Sequence, residues 1–469
     1  MSPILSFKSL VPIATLLVFW FIPAPEGLSI EAWHFLAVFF AVVVGLIVEP
    51  VPAALVGFTG ISIVALLGLM GNAKASISWA LSGFSNTVIW LIFAAFMFAL
   101  GYKKTGLGRR ISLIMIKYMG KSSLGLGYAV AFSDLILAPF MPSNTARSAG
   151  TIYPVASNIP LIFDSTPENE PRKLGSYISW VAIATTCVTS SMFLTALAPN
   201  LLAVDLINQG TGNTVTWSAW ASIMIPLMIP LFLLTPWLVY VVYPPTQKTS
   251  PEAPAWAATE LKKLGKITSK ELLMAGLAVL ALFLWIFGKD FGIHSTTAAI
   301  SIVAIMVGTR VITWDDVISN KAAFNVLIWF ASLVAMAAGL KKVGVLTWIG
   351  NSAEVYLAGM TPTMLIISML LLFFVLHYFF ASTTAHTTAL MPIFLAIAVK
   401  LMTPEQLIPF SILLAGSLGL MGIITPYATG PSPIWYGAGY ISQARWWGLG
   451  AIFGALYLAV IIVGALIFI

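Results

Sequence analysis

Pro142-Ser143-Asn144-Thr145-Ala146-Arg147 is a polar, charged stretch set between two apolar runs, 129–141 and 149–163. About 240 residues later the pattern returns as Ala381-Ser382-Thr383-Thr384-Ala385-His386. The shared string is Ser-x-Thr-Ala-cation, and each copy sits midway through an apolar segment of about 35–40 residues. A single helical span needs about 20 residues, so each segment is long enough to dip into a bilayer and return. A polar tip at that depth is tolerated only where it lines a cavity or is buried in protein. The two copies are therefore expected to be the tips of two re-entrant hairpins facing one site.

The rest of the chain supports a membrane setting. Of its 469 residues, 59% are hydrophobic and 8% charged, with a mean hydropathy of +0.98. Soluble domains carry about a quarter charged residues, so the fold class is an all-α polytopic membrane protein. About 11 transmembrane helices plus the two hairpins are expected, arranged in inverted repeats. The single cysteine, Cys187, excludes an intrachain disulfide and reads as a packing residue. The first apolar run, 10–24, is followed by no convincing small-x-small cleavage site, so it reads as a span rather than a signal peptide.

Further spans fall near 33–48, 53–70 and 86–102, then a basic amphipathic stretch at 103–122 that reads as an interfacial helix. Hairpin one covers about 124–162, followed by a broken span at 176–207 and a span at 217–243. After a polar linker, 244–270, the order repeats: spans near 272–288, 294–309 and 322–340, hairpin two near 361–400, a broken span at 408–438 and a last span at 447–469. The breaks contain Thr195-Ala196-Leu197-Ala198-Pro199-Asn200 and Tyr427-Ala428-Thr429-Gly430-Pro431-Ser432-Pro433. Proline removes a backbone donor and glycine frees the dihedrals, so both helices should unwind there. Hairpin then broken helix, twice, is the pattern of an internally repeated secondary transporter.

Lys103, Lys104, Arg109, Arg110, Lys117 and Lys121 follow the fourth span, and Lys248, Lys262, Lys263, Lys266 and Lys270 lie in the linker. The net charge of +7 is concentrated in such loops, and reads as a topology signal with no nucleic-acid partner. Both loops are expected in the cytoplasm, which places the N-terminus inside and the C-terminus outside.

Two tips and two breaks supply hydroxyls (Ser143, Thr145, Ser382, Thr383, Thr384, Thr429), one amide (Asn144), free backbone N–H groups and two cations. Helix N-termini favour anions, the Arg147 fork suits a carboxylate, and His386 takes a proton when an anion is near. Such a site wants a small, oxygen-rich dianion. No HExxH, Cys/His cluster or Walker loop is present, so no metal, cofactor or catalytic residue is expected. Blander roles stand beside these: Arg147 as an ion pair with Asp134, His386 and His377 as ordinary core histidines, and the hydroxyls as hairpin caps.

At these residues the chain resembles the divalent anion/sodium symporter (DASS) family, in its bacterial citrate/succinate and plastid 2-oxoglutarate/malate translocator branch. The resemblance is full-length. It is carried by Ser143-Asn144-Thr145 after a proline, by Ser382-Thr383-Thr384, and by Thr425-Pro426-Tyr427-Ala428-Thr429-Gly430-Pro431. Trp33-His34-Phe35, Glu49-Pro50-Val51-Pro52 and Gly106-Leu107-Gly108-Arg109-Arg110 support it. It implies a homodimer; with no long N-terminal transit extension ahead of the first span, a bacterial inner (plasma) membrane is expected rather than a plastid. It also implies a fixed scaffold, 1–122 and 271–345, and an elevator-type transport domain, 123–243 and 346–469, with the linker 244–270 between halves. Substrate carboxylates would be held by Ser143, Asn144, Thr145, Ser382, Thr383, Thr384, Thr429 and Pro431.

The chain departs from sodium-coupled members at Thr383, where they carry Asn, and at Arg147 and His386, where they tend to carry small residues. If these two side chains compensate the substrate's charge, the expected activity is sodium-independent exchange of dicarboxylates such as 2-oxoglutarate, malate and succinate. A sodium-coupled dicarboxylate or citrate symporter is the first alternative and an anion channel the second. A membrane-embedded enzyme would need a constellation that the few intramembrane acids, chiefly Asp134 and Glu49, do not provide.

Overall fold

The computed structural model describes residues 7–357 and 359–469. Residues 1–6 of the 1–122 block and Ala358 of the 346–469 block lie outside the described residues. No strand occurs among the described residues, only an isolated bridge between Ser122 and Thr249. The chain begins with α1 (Phe7–Phe21), α2 (Ile30–Val48), α3 (Ala53–Leu66), the short α4 (Ala73–Ser82), α5 (Thr87–Thr105) and α6 (Leu107–Met119). Ser29 and Asn86 cap α2 and α5 by accepting from backbone N–H groups of the first turn. Gly106 takes φ 79°, the left-handed turn that lets α6 leave the end of α5.

Hairpin one consists of α7 (Ser123–Leu137), a non-helical tip at 141–143, a π-helical stretch Thr145–Ile152, and two single turns, α8 (Tyr153–Ala156) and α9 (Asn158–Leu161). The first broken span is α10 (Gly175–Met192) and α11 (Ala198–Thr211), and α12 (Trp217–Val242) closes the half. Every residue of α10 is buried, so this helix is the axis of the first half.

The linker expected at 244–270 is not a bare tether. It folds as α13 (Glu252–Leu264), which packs along α6. Arg109 meets Glu260 at 2.8 Å and Arg110 meets Glu271 at 2.6 Å. Lys263 beside Glu260 holds that carboxyl below its ordinary range. The alanine-rich composition that reads as a linker also has high helix propensity, and α6 gives it a surface to lie on.

The second half runs α14 (Ser269–Phe287), α15 (Ser295–Gly308), the short α16 (Trp314–Ile318) and α17 (Lys321–Lys342). Then come α18 (Val345–Leu357), which the sequence reading did not anticipate, and hairpin two, α19 (Pro362–Leu376) and α20 (Thr383–Leu401). The second broken span is α21 (Pro404–Leu420) with α22 (Ser432–Gly437), and α23 (Gln443–Phe468) is last. Ten helices among the described residues are long and apolar enough to cross a membrane; α1, α3 and α15 are shorter apolar helices. The molecule is thus an all-helical, multi-pass membrane protein.

Sidedness within the fold follows from backbone contacts. Thr246 and Gln247, where the linker starts, donate to the carbonyls of Arg172 and Lys173 just before α10. The end of α11 and the start of α5 therefore lie on the face opposite the linker.

Candidate functional site

The tip of hairpin one is pinned to the first break by backbone bonds. Ala198 N–H donates to the Pro142 carbonyl at 2.7 Å, and the Thr195 hydroxyl donates to the Pro139 carbonyl at 2.6 Å. Unwound backbone would otherwise be left unpaired at membrane depth. The tip then reaches across to the other half. Asn144 Nδ2 donates to Thr429 Oγ1 at 2.8 Å, joining the first motif to the second break. Gly430 lies against Thr145 so closely that an added Cβ would sit 1.8 Å from the Thr145 hydroxyl. Ser148 accepts from Trp435 Nε1 at 3.0 Å, which ties the π-helical stretch to α22 as well.

The hydroxyls divide into two groups. Ser143 and Ser382 cap their own arms, accepting from Ala146 N–H at 3.2 Å and Ala385 N–H at 3.4 Å. The Thr145, Thr383 and Thr384 hydroxyls make no hydrogen bond among the described residues, although Thr383 and Thr384 are buried. Ser382 also marks the N-terminus of the 19-residue helix α20, whose first turn points free N–H groups at the tip. Pro431 is buried beside Thr429 at the start of α22. The structure thus brings Asn144, Thr145, Thr429 and Pro431 together and places Thr383 and Thr384 at the tip of hairpin two. No hydrogen bond joins the two motifs directly among the described residues.

Arg147 does not face this site, and the charge-compensating role expected for it is corrected. Its side chain is 0% exposed, and its Nε lies 3.1 Å from both oxygens of Asp134. Nη1 donates to the Met141 and Ala196 carbonyls, each at 2.8 Å, while Nη2 donates to Ser190 at 3.0 Å and Thr189 at 3.4 Å. A guanidinium has five N–H donors, and all five are committed. Asp134 is completed by the hydroxyls of Thr186, at 2.8 Å, and Thr189. Burying an unpaired charge is prohibitive, and a bidentate acid with two hydroxyls removes that penalty without any substrate. Arg147 is a clasp that holds the hairpin-one tip and the first break on α10.

His386 is corrected in the same way. Its ring is enclosed by Phe373 at 4.4 Å, His377 at 4.9 Å and Phe380 at 5.1 Å, and neither nitrogen has a partner among the described residues. It packs hairpin two and offers no charge to the site. His377, expected to be an ordinary core histidine, has a definite contact: its Nε2 lies 2.9 Å from the Ala428 carbonyl in the second break. Sequence reasoning missed Thr186, Thr189, Ser190 and Trp435. The signal for the first three was a polar run, 185–191, in an otherwise apolar helix, with Thr186, Thr189 and Ser190 at helical spacing on one face.

A re-entrant tip bonded to the unwound span of the opposite half is transporter architecture. Residues 5–468 match the family described as the sodium:sulfate symporter transmembrane region. The chain belongs to this family, which groups it with the divalent-anion (DASS) transporters and not with enzymes. Among characterised proteins it is 48% identical to the L-tartrate/succinate antiporter of Escherichia coli (strain K12), over 98% of this chain and 97% of that protein. The antiporter of the same description from Shigella sonnei (strain Ss046) is 49% identical over the same shares.

Two solved structures share the fold at 14% identity. The Alcanivorax borkumensis YdaH transporter has a TM-score of 0.59, covering 88% of this chain and 97% of that one. Neisseria gonorrhoeae MtrF, described among antimetabolite efflux pumps, has a TM-score of 0.57, covering 89% and 95%.

Proposed function

We propose that this protein exchanges small dicarboxylates across the membrane, with succinate and tartrate as the leading pair and malate and 2-oxoglutarate as further candidates. The observation that carries this reading is the Asn144–Thr429 junction. It sets the free hydroxyl of Thr145 beside the second break, and hairpin two contributes Thr383, Thr384 and the N-terminus of α20. Hydroxyls and helix N–H groups recognise carboxylate oxygens. The near half identity to L-tartrate/succinate antiporters supports the same substrate class.

With Arg147 neutralised by Asp134, exchange needs another physical basis. The empty site presents unpartnered donors, each costing about 1–3 kcal/mol to bury dry. A bound dicarboxylate satisfies several at once, so the loaded carrier crosses faster than the empty one. In this reading 123–243 and 346–469 carry the site and slide against 1–122 and 271–345, as an elevator. The protein works as a homodimer in the plasma membrane with the linker face in the cytoplasm.

The test is uptake of labelled succinate into proteoliposomes, with choline replacing Na⁺. Uptake should require internal dicarboxylate and proceed in choline. Equal uptake into empty vesicles defeats exchange. Dependence on Na⁺ returns the sodium-coupled symporter, the second reading, which the family description favours. Single-channel conductance would return the anion channel.

A further inference from the structure

A second polar junction lies on the face opposite the linker and shares no residue with the two tips. Asn86, at the N-terminus of α5, donates from Nδ2 to Asp205 Oδ1 of α11 at 2.7 Å. Gln209, one turn further along α11, donates from Nε2 to Asp205 Oδ2 at 2.6 Å. Lys341, in the last turn of α17, donates to the Gln209 carbonyl. The four residues form one connected chain, Asn86–Asp205–Gln209–Lys341. Its outer members belong to the fixed part in the proposed function and its inner members to the moving part.

Two features separate this chain from the Arg147 clasp. Asp205 is buried, at 5% exposure, yet no cation pairs with it among the described residues; both oxygens are held by neutral amides. Pulling an amide from a carboxylate strips no charge of its counter-charge, so the bond is strong when made and releasable. Asp205 and Asn86 also line a cavity of about 830 Å³, together with Thr195, Trp217, Trp285 and Lys289. Such a volume admits water to the separated partners. The clasp has neither property: it is an ion pair sealed among α7, α10 and the tip.

We propose that Asn86–Asp205–Gln209–Lys341 is a latch that holds the carrier in one of its two transport states, with Asp205 the positioning residue. The inference rests on the moving-unit reading above. A latch acts through populations: weakening it lowers the fraction of one state and raises the other, and apparent affinity scales with that fraction. Half-saturation constants measured from the two faces must therefore move in opposite directions. A merely structural defect shifts both the same way or lowers the rate alone.

The experiment measures succinate KM on each face in vesicles of both orientations. Asn86→Asp, which opposes two carboxylates at the junction, should raise KM on one face and lower it on the other by about tenfold. Adding Asp205→Asn rebuilds an acid–amide pair in reverse and should restore both values. Lys341→Met, at an exposed position, should give a smaller shift of the same signs and serves if the first variant folds poorly. Parallel changes, or none, overturn the latch. A bifunctional thiol cross-link between Asn86→Cys and Asp205→Cys then separates the two claims. If the cross-link stops exchange but Asn86→Asp leaves both KM values fixed, the latch falls and the moving unit stands; if exchange runs at full rate across the cross-link, both fall.

Discussion

Hairpin one and hairpin two occupy matching places in the repeat but are anchored by different chemistry. In hairpin one a fully buried Arg147–Asp134 pair, with Thr186, Thr189 and Ser190, grips the Ala196 carbonyl of the first break. In hairpin two His377 meets the Ala428 carbonyl of the second break at 2.9 Å, and His386 packs beside it in an aromatic cage. Both solutions fix an unwound carbonyl to a hairpin. The first uses two opposite charges that must stay together, the second uses neutral rings. Equal sequence offset thus hides unequal energetics: the repeat preserves where a side chain stands, not what it does.

The largest test of that contrast is Asp134→Ala. It strands a guanidinium in the protein interior and should cost about 3–5 kcal/mol, read as a loss of folded protein and of exchange in detergent melting and uptake assays. The double variant Asp134→Leu/Arg147→Met should be markedly more stable than Asp134→Ala or Arg147→Met alone, because both charges leave together. Equal damage in all three would mean that Arg147 has a role apart from Asp134.

Next in size is Gly430→Ala. Its new methyl would fall 1.8 Å from the Thr145 hydroxyl and push the tip from the second break, lowering exchange on the order of 100-fold with the protein still folded. Gly150→Ala, whose nearest neighbour would be 3.7 Å away, should leave exchange intact. Matching losses in the two variants would show that the tip–break contact is not special.

On the neutral side, His377→Phe removes one hydrogen bond and should lower stability by about 1 kcal/mol, well below the Asp134 effect in the same melting assay. A loss as large as that of Asp134→Ala would erase the difference between the hairpins.

The smallest effect belongs to the surface pair Lys104–Asp316, 2.8 Å apart. Lys104 draws the Asp316 carboxyl down from 3.8 to about 2. A lowered folded-state value means that the contribution is complete above about pH 4 and fades as pH falls towards 2. Asp316→Asn should thus lower the melting temperature slightly, by the same amount at every pH between 5 and 8, with the difference from the parent shrinking as pH falls towards 2.

Much of the fold was legible because membrane spans announce themselves by length and apolarity. The hairpins and breaks showed through their polar interruptions. The helix α13 was not, since its composition reads equally as linker or helix until α6 is placed beside it. At the site, the Ser-Asn-Thr tip and the Thr429 break were legible through duplication. The partner of Arg147 was weighed, but the sequence shows only that Asp134 is within reach. The hydroxyls of α10 that complete the pair, and so direct Arg147 away from the substrate, emerge only from packing.

The Arg147 clasp draws every member from residues 134–196, whereas Asn144 finds Thr429 some 285 positions away. Biogenesis is shaped by that difference. While the second half is still on the ribosome, the hairpin-one arginine already has its acid, hydroxyls and carbonyls within the synthesised chain, so Arg147 need not enter lipid as an unpaired charge. The transport site itself comes into being only when the last hundred residues arrive.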